Sequence, residues 1–338
     1  MTMTSSRPAA EDASTPKSGL LSQVAGALIM LVGAGLIAIT LINSLFQVGP
    51  AFEDLTDDFR PVMTQESIDT ARADIAGLGA VQEEFTTKLA PALSEQLQMT
   101  PEEFDGFVAE QFPTVAAGMG ALPTVVPTFN GLIDTLDEQR PLFASADAIP
   151  TKSLPATTVP WVFLLAGMLA LVIGLLVLRA PRTGGKVAVI VGLLALAVPL
   201  VLSLPAKASD ADQMNANLSP VYNQELVDNA TGALVVLGAM GAEMQTAMLP
   251  ALAEQLQMSP EEMTAFLGEN FPATAQALQT LPGAMERFTG LVTVFDENLD
   301  NYETLEPVAM EQLIWILMVG GGLVAGFGVL AVATGRRD

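Results

Sequence analysis

The stretch Pro91-Ala-Leu-Ser-Glu-Gln-Leu-Gln-Met-Thr-Pro-Glu-Glu103 returns later in the chain as Pro250-Ala-Leu-Ala-Glu-Gln-Leu-Gln-Met-Ser-Pro-Glu-Glu262. Working outward from it, Pro61–Glu138 lies on Pro220–Glu297 at a constant offset of 159 without a gap, and 34 of the 78 pairs are identical. A second offset, 154, aligns Trp161 with Trp315, Gly167 with Gly321, Gly174 with Gly328 and Arg182 with Arg336. Similarity at a fixed spacing is the mark of a duplicated structural unit.

What flanks the repeated block fixes the class of protein. Four stretches carry no Asp, Glu, Lys or Arg: Ser18 to Phe52, Ser153 to Leu178, Val187 to Ala206 and Gln312 to Gly335. Each reaches the roughly 20 residues with which a helix crosses about 30 Å of hydrocarbon. The sequence therefore predicts an all-α membrane protein in which the unit span–lobe–span occurs twice in tandem. Its boundaries are a disordered cytoplasmic tail 1–18, a first span 19–46 and a first helical lobe 47–158. A second span 159–178, a basic loop 179–186 and a third span 187–206 follow, then a second lobe 207–311, a fourth span 312–335 and the terminus 336–338. The first apolar run is longer than the 7–15 residues of a signal-peptide core and no small-x-small site closes it, so it reads as a retained anchor.

Charge orients the chain. The net charge is −23, and it is segregated. Gln47–Thr158 holds 18 acidic and 5 basic residues, Pro205–Glu311 holds 16 and 2. The loop Arg179-Ala-Pro-Arg182-Thr-Gly-Gly-Lys186 is purely basic, and the last span runs into Arg336-Arg337. Lys and Arg mark the cytoplasmic side. This places both termini inside, both lobes outside, and the protein in the plasma membrane. Abundant Ala, Gly and Val with only five lysines points to a bacterium with a GC-rich genome.

Both lobes read as helix. Ala71, Ile75, Leu78, Phe85 and Leu89 form one apolar stripe at 3–4 spacing, matched by Ala230, Leu234, Leu237, Met244 and Met248. Thr100-Pro101-Glu102-Glu103 and Ser259-Pro260-Glu261-Glu262 are capping boxes. Thr100 and Ser259 supply the hydroxyl, Pro101 and Pro260 fill a position that needs no donor, and Glu103 and Glu262 reach back. The helices so started are expected to stop near Phe112-Pro113 and Phe271-Pro272. Further breaks are expected at Leu122-Pro123 and Leu281-Pro282. Each lobe of about 100 residues is long enough to build its own core.

The same residues narrow the chemistry. The chain has no cysteine and no histidine, so the expectation is no catalytic residue, no cofactor and no metal site. Glu102/Glu103 and Asp137/Glu138 are paired acids, but their neighbours make them first-turn and helix-end residues. Asp296-Glu-Asn-Leu-Asp300 lacks the spaced ligands and glycine of a calcium loop. Acidic lobes repel phosphates, so no nucleic acid is expected. Within the spans, Gly167, Gly174, Gly321, Gly322, Gly326 and Gly328 are positions where helix backbones can approach closely. Trp161 and Trp315 sit where indoles anchor at headgroup level.

The role these features favour is a non-enzymatic membrane scaffold or accessory subunit. Its partners would be membrane lipids and either an envelope or membrane-complex protein or a second copy of itself. A carrier of lipid or another hydrophobic substance is the second reading, motivated by the methionine- and phenylalanine-rich amphipathic helices. A ligand sensor is the third. A helical bundle between two spans resembles bacterial chemoreceptor ligand-binding regions in layout alone, with no motif shared.

Overall fold

The computed structural model describes residues 17–151 and 154–335. The expected N-terminal tail and the Arg336-Arg337 pair lie outside them, apart from Lys17 and Ser18. Every element is a helix, and among the described residues the one strand-like pairing is an isolated bridge between Thr151 and Leu154. In the first repeat the helices are α1 (Lys17–Ile42), α2 (Leu45–Phe59), α3 (Gln65–Glu84), α4 (Ala90–Gln96), α5 (Pro101–Gln111), α6 (Pro113–Ala146) and α7 (Val159–Arg179). In the second they are α8 (Pro181–Val201), α9 (Leu204–Leu218), α10 (Gln224–Glu243), α11 (Leu249–Gln255), α12 (Pro260–Asn270), α13 (Pro272–Glu297), α14 (Leu299–Leu305) and α15 (Met310–Thr334).

Irregularities recur with the repeat, which shows that they are encoded locally. A π-helical turn separates α3 from α4 at Phe85–Leu89 and α10 from α11 at Met244–Met248. The long apolar run at the start of each repeat breaks at Ser44 (φ 48°) and Ser203 (φ 54°), leaving the short helices α2 and α9 beyond it. Gln98 and Gln257 (both φ 56°) end α4 and α11 in the left-handed region. There Met99 N–H reaches Ser94 O and Met258 N–H reaches Ala253 O, the six-to-one bond of a Schellman stop.

Two expectations change. Prolines 123 and 282 do not break their helices: α6 continues through Pro123, Pro127 and Pro141, and α13 through Pro282. A proline removes one backbone bond and crowds the preceding turn, a local cost that the packed apolar faces of these two long helices override. The second change concerns the count of apolar helices. Among the described residues five are long and apolar enough to cross a membrane: Gly19–Ile42, Ala156–Arg179, Pro181–Val201, Gln224–Gln255 and Met310–Thr334. The sequence reading named four, because Gln224–Gln255 carries Glu225, Asp228, Glu243 and Glu254. The segments Pro101–Gln111 and Pro113–Ala146 would also pass together, but they meet at a 115° bend.

The chain divides into two compact units, and the division cuts across the repeat. One unit takes the chain up to Glu53, Ser145–Asp212 and everything from Pro307 on. The other takes Asp54–Ala144 and Gln213–Glu306. The outer segments of both repeats thus share one body. In the first unit α1 pairs with α7 and α8 with α15, around a core of Ile29, Ile173, Val177 and Val324 with the small Ala25 and Ala188. In the second, α13 packs on α3 of the other repeat as well as on its own α10.

Candidate functional site

Each long helix that begins after Phe-Pro lacks a capping side chain of its own. The residue at the N-cap of α13 is Phe271, which offers no acceptor. The cap comes instead from the other repeat: Glu84, at the last turn of α3, accepts the Thr274 N–H at 2.7 Å. The equivalent residue, Glu243, does the same for α6. Its carboxylate takes the Thr114 hydroxyl at 2.6 Å and the Val115 N–H at 2.8 Å. A carboxylate at a helix N-terminus satisfies a free donor and meets the positive end of the helix dipole. The Thr114 hydroxyl, followed by the backbone donors, holds the Glu243 carboxyl below its ordinary value. Both glutamates stand where the π-turn begins, and the extra residue of such a turn re-aims the side chains beside it.

The first unit repeats the device with a different pair. Glu53 on α2 accepts the Ala156 N–H at the helical turn leading into α7. Its counterpart Asp212 on α9 accepts Met310 N–H at 2.8 Å and Glu311 N–H at 2.9 Å at the start of α15. Burial pushes the Asp212 carboxyl above its ordinary value, against the pull of those two N–H groups, and the nearby Glu311 charge adds to the rise. Ala156 and Met310 also line an apolar cavity of about 60 Å³ whose walls include Phe52, Leu204 and Leu313. A buried water needs about two to four polar partners. These walls offer almost none, so the cavity suits hydrocarbon.

The predicted site residues fall as follows. Both capping boxes are formed: Thr100 N–H to Glu103 at 2.9 Å with Glu103 N–H to Thr100 at 3.2 Å, and Ser259 with Glu262 at 2.8 and 3.2 Å. They start α5 and α12 and touch neither carboxylate pair. Gly167 and Gly174 face Gly33 and Gly26, and a Cβ placed on Gly33 would lie 2.6 Å from the Gly167 carbonyl oxygen. Gly321 and Gly328 face Gly192 and Gly185 in the same manner, with 2.4 Å from a Gly192 Cβ to the Gly321 oxygen. The structure does not bring Gly326 into this seam. A Cβ there meets nothing within 4 Å, and one on Gly322 meets only the tip of Leu196. The Gly-x-x-x-Gly spacing of 322 and 326 is on the outer face of α15, while the packed face uses a seven-residue spacing. Trp161 and Trp315 are about half exposed, the first edge-on to Phe46 and the second bonded to Glu311.

Sequence reasoning missed Glu53, Glu84, Asp212 and Glu243. Identity or near-identity at equivalent positions was visible, but an acid on a helix reads as solvated surface until its partner, 98 to 190 residues away, is known. Gly26, Gly185 and Gly192 were missed because the entry helices align only at the other offset. No group of three or more acidic side chains among the described residues stands close enough to hold a metal ion. The fold is that of an all-helical, multi-pass membrane protein. No protein-family model matches the chain, and no curated protein matches it.

Proposed function

We propose that the protein is a non-enzymatic integral membrane scaffold or accessory subunit that spans the plasma membrane four times and presents one fused, acidic helical body to an envelope or membrane-complex partner. The observation that carries this reading is the use made of the buried acids. Glu84 and the half-buried Glu53, Asp212 and Glu243 are tied to helix N-termini, where they fix helix ends instead of facing a reaction cleft.

The four-span count is supported by where large apolar side chains are exposed. They crowd α1, α7, α8 and α15, with Leu31, Val172, Ile190 and Val319 each more than half exposed. Along Gln224–Gln255 only Val235 is a strongly exposed large apolar residue, as suits a helix whose apolar stripe is covered by protein. The basic residues Arg179, Arg182 and Lys186 at the junction of α7 and α8 support a cytoplasmic position for that end of the bundle. Purification from native membranes in mild detergent is expected to bring a stoichiometric companion or a second copy. A bare monomer would overturn the scaffold reading.

A carrier of hydrocarbon-bearing molecules is the second reading, favoured by the apolar cavity beside Ala156 and Met310. It would require the cavity to widen between α2 and α9. Lipid extraction from the purified protein that yields nothing above the detergent background would remove it.

A further inference from the structure

In an interface between two identical copies, if residue i of one touches residue j of the other, then j of the first touches i of the second. This single chain obeys that rule with itself. Glu84 meets Thr274, and its equivalent Glu243 meets Val115, the equivalent of Thr274. Asp58 accepts from Asn298 at 3.0 Å, while Asn217, the equivalent of Asp58, donates to Gln139, the equivalent of Asn298, at 2.9 Å. Phe129 packs edge-on against Phe288, ring centres 5.1 Å apart. These two rings occupy the same repeat position, so the pseudo-two-fold passes between them. Around the seam Phe59 of the first repeat lies against Phe295 and Tyr222 of the second, at 5.1 and 5.8 Å.

We propose that residues 1–180 and 181–338 are each other's binding partners, a dimer joined after the fact by the α7–α8 loop, whose integrity the assembled protein does not need. The groups at the seam say why neither half suits water. Asn298 is fully buried, and Gln139 and Glu84 are no more than 6% exposed. Each has a hydrogen-bond partner in the opposite half, and a buried polar group stripped of its partner costs far more than the bond contributed. In the first unit the halves also meet along α1 and α15, where Gly320 lies against Val32 and Leu36.

The two halves are matched to one another more closely than to themselves. Arg287 makes a two-pronged pair with Asp74, both bonds at 2.8 Å, and the Asp74 side chain is only 11% exposed. At the equivalent positions stand Thr128 and Ala233, which carry no charge. Two first halves together would leave the Asp74 carboxylate facing Thr128, and two second halves would leave Arg287 facing Ala233. A charge with a partner in one pairing and none in the other is a device for selecting partners.

The test uses the full chain with a protease site inserted between Ala180 and Pro181, cut after purification in mild detergent. The two fragments are expected to elute together at the position of the uncut protein and to unfold in one transition. Separation on cutting, without denaturant, overturns the proposal. In the cut protein, Asp74→Arg is expected to raise the dissociated fraction roughly tenfold, the scale of one well-placed charge pair. Combining it with Arg287→Asp is expected to bring dissociation back towards that of the unaltered cut protein. A double reversal no better than Asp74→Arg alone would overturn the matching of the halves. In the uncut protein the same substitutions should matter far less, because the loop keeps the halves at high effective concentration.

Discussion

Glu84 and Thr274 are 190 residues apart in the chain, and their 2.7 Å bond is what closes the N-terminus of α13. Phe271, at the N-cap, has no side-chain acceptor with which to do so. Glu84→Ala would leave the buried Thr274 N–H without its acceptor and remove a carboxylate from the positive end of a helix. Loss of a helix cap costs about 0.5–2 kcal/mol, and an orphaned buried donor about 1–3 kcal/mol. The expected result is a fall of several degrees in the thermal midpoint measured in detergent. Glu83→Ala, at the exposed neighbouring position, is the control and should leave the midpoint within a degree or so of wild type, since such surface changes stay within about 0.5 kcal/mol.

Acid should act on the equivalent bond in a definite direction. The Glu243 carboxyl is held below its ordinary value by the Thr114 hydroxyl and the Val115 and Thr114 backbone donors. A group whose pKa is lower in the folded state binds fewer protons there than in the unfolded chain. Its contribution is therefore complete above the ordinary carboxyl value of 4.5 and is lost as the pH falls below that through the depressed one. Asp212 works in the opposite sense. Its carboxyl is raised from 3.8 by burial, so ionising it costs the folded state, and protonation in the window just above 3.8 relieves that cost. The charged group that acts on it is Glu311 on α15, whose own N–H it accepts. Denaturation curves taken between pH 6 and pH 3 should show Glu243→Gln with a shallower loss of stability on the acid limb. Asp212→Asn should lose the opposing gain in the window just above 3.8. An unchanged acid limb in Glu243→Gln would refute the assignment.

What the sequence made legible was whatever is local. Thr100 and Glu103 cap their own helix within four residues, so their chemistry is written in one short motif. The charge-free stretches within α1, α7, α8 and α15 are likewise local. The exchange between repeats is not local: Glu84 and Glu243 gain their meaning from Thr274 and Val115, and alignment tells that two positions are equivalent without telling which pairs touch. Whether the two outer segments pack on each other was left open by the sequence for that reason. Each outer segment is long enough for a core of its own, but Phe59, Tyr222 and Phe295 build theirs from both copies. The prolines at 123 and 282 misled in another way, since local propensity yields when a long helix is packed along its length.

The glycines of the first unit separate two kinds of helical glycine. At Gly33 and Gly192 an added methyl would sit 2.6 and 2.4 Å from a carbonyl oxygen of the facing helix, and a backbone atom cannot swing aside. Gly33→Ala and Gly192→Ala must therefore push α1 from α7 or α8 from α15, at a cost typical of overpacking, about 1–3 kcal/mol. Gly326→Ala enters open space and removes the backbone freedom of a helical glycine, worth roughly 0.5–1 kcal/mol in favour of the folded form. Midpoints in the same detergent should order as Gly326→Ala at or above wild type, with the other two clearly below. If Gly326→Ala were as damaging as Gly192→Ala, the outer face of α15 would have to be a contact surface in the membrane.

The proposed topology places Asp105 and Thr264, equivalent neighbours apart by one repeat, on the same side of the membrane. Both side chains are exposed on short helices, α5 and α12, that begin with the capping boxes. The chain contains no cysteine, so a single introduced thiol is the only one that reacts. Asp105→Cys and Thr264→Cys should both label with an impermeant maleimide in intact cells, while Thr183→Cys, exposed in the first turn of α8, should label only after lysis. All three side chains are exposed, and the substitutions cost the fold little, as changes on exposed surface usually do. Protection of both 105 and 264 in intact cells would invert the orientation. Labelling of one without the other would require an odd number of crossings between them, which the fifth apolar helix, Gln224–Gln255, could supply.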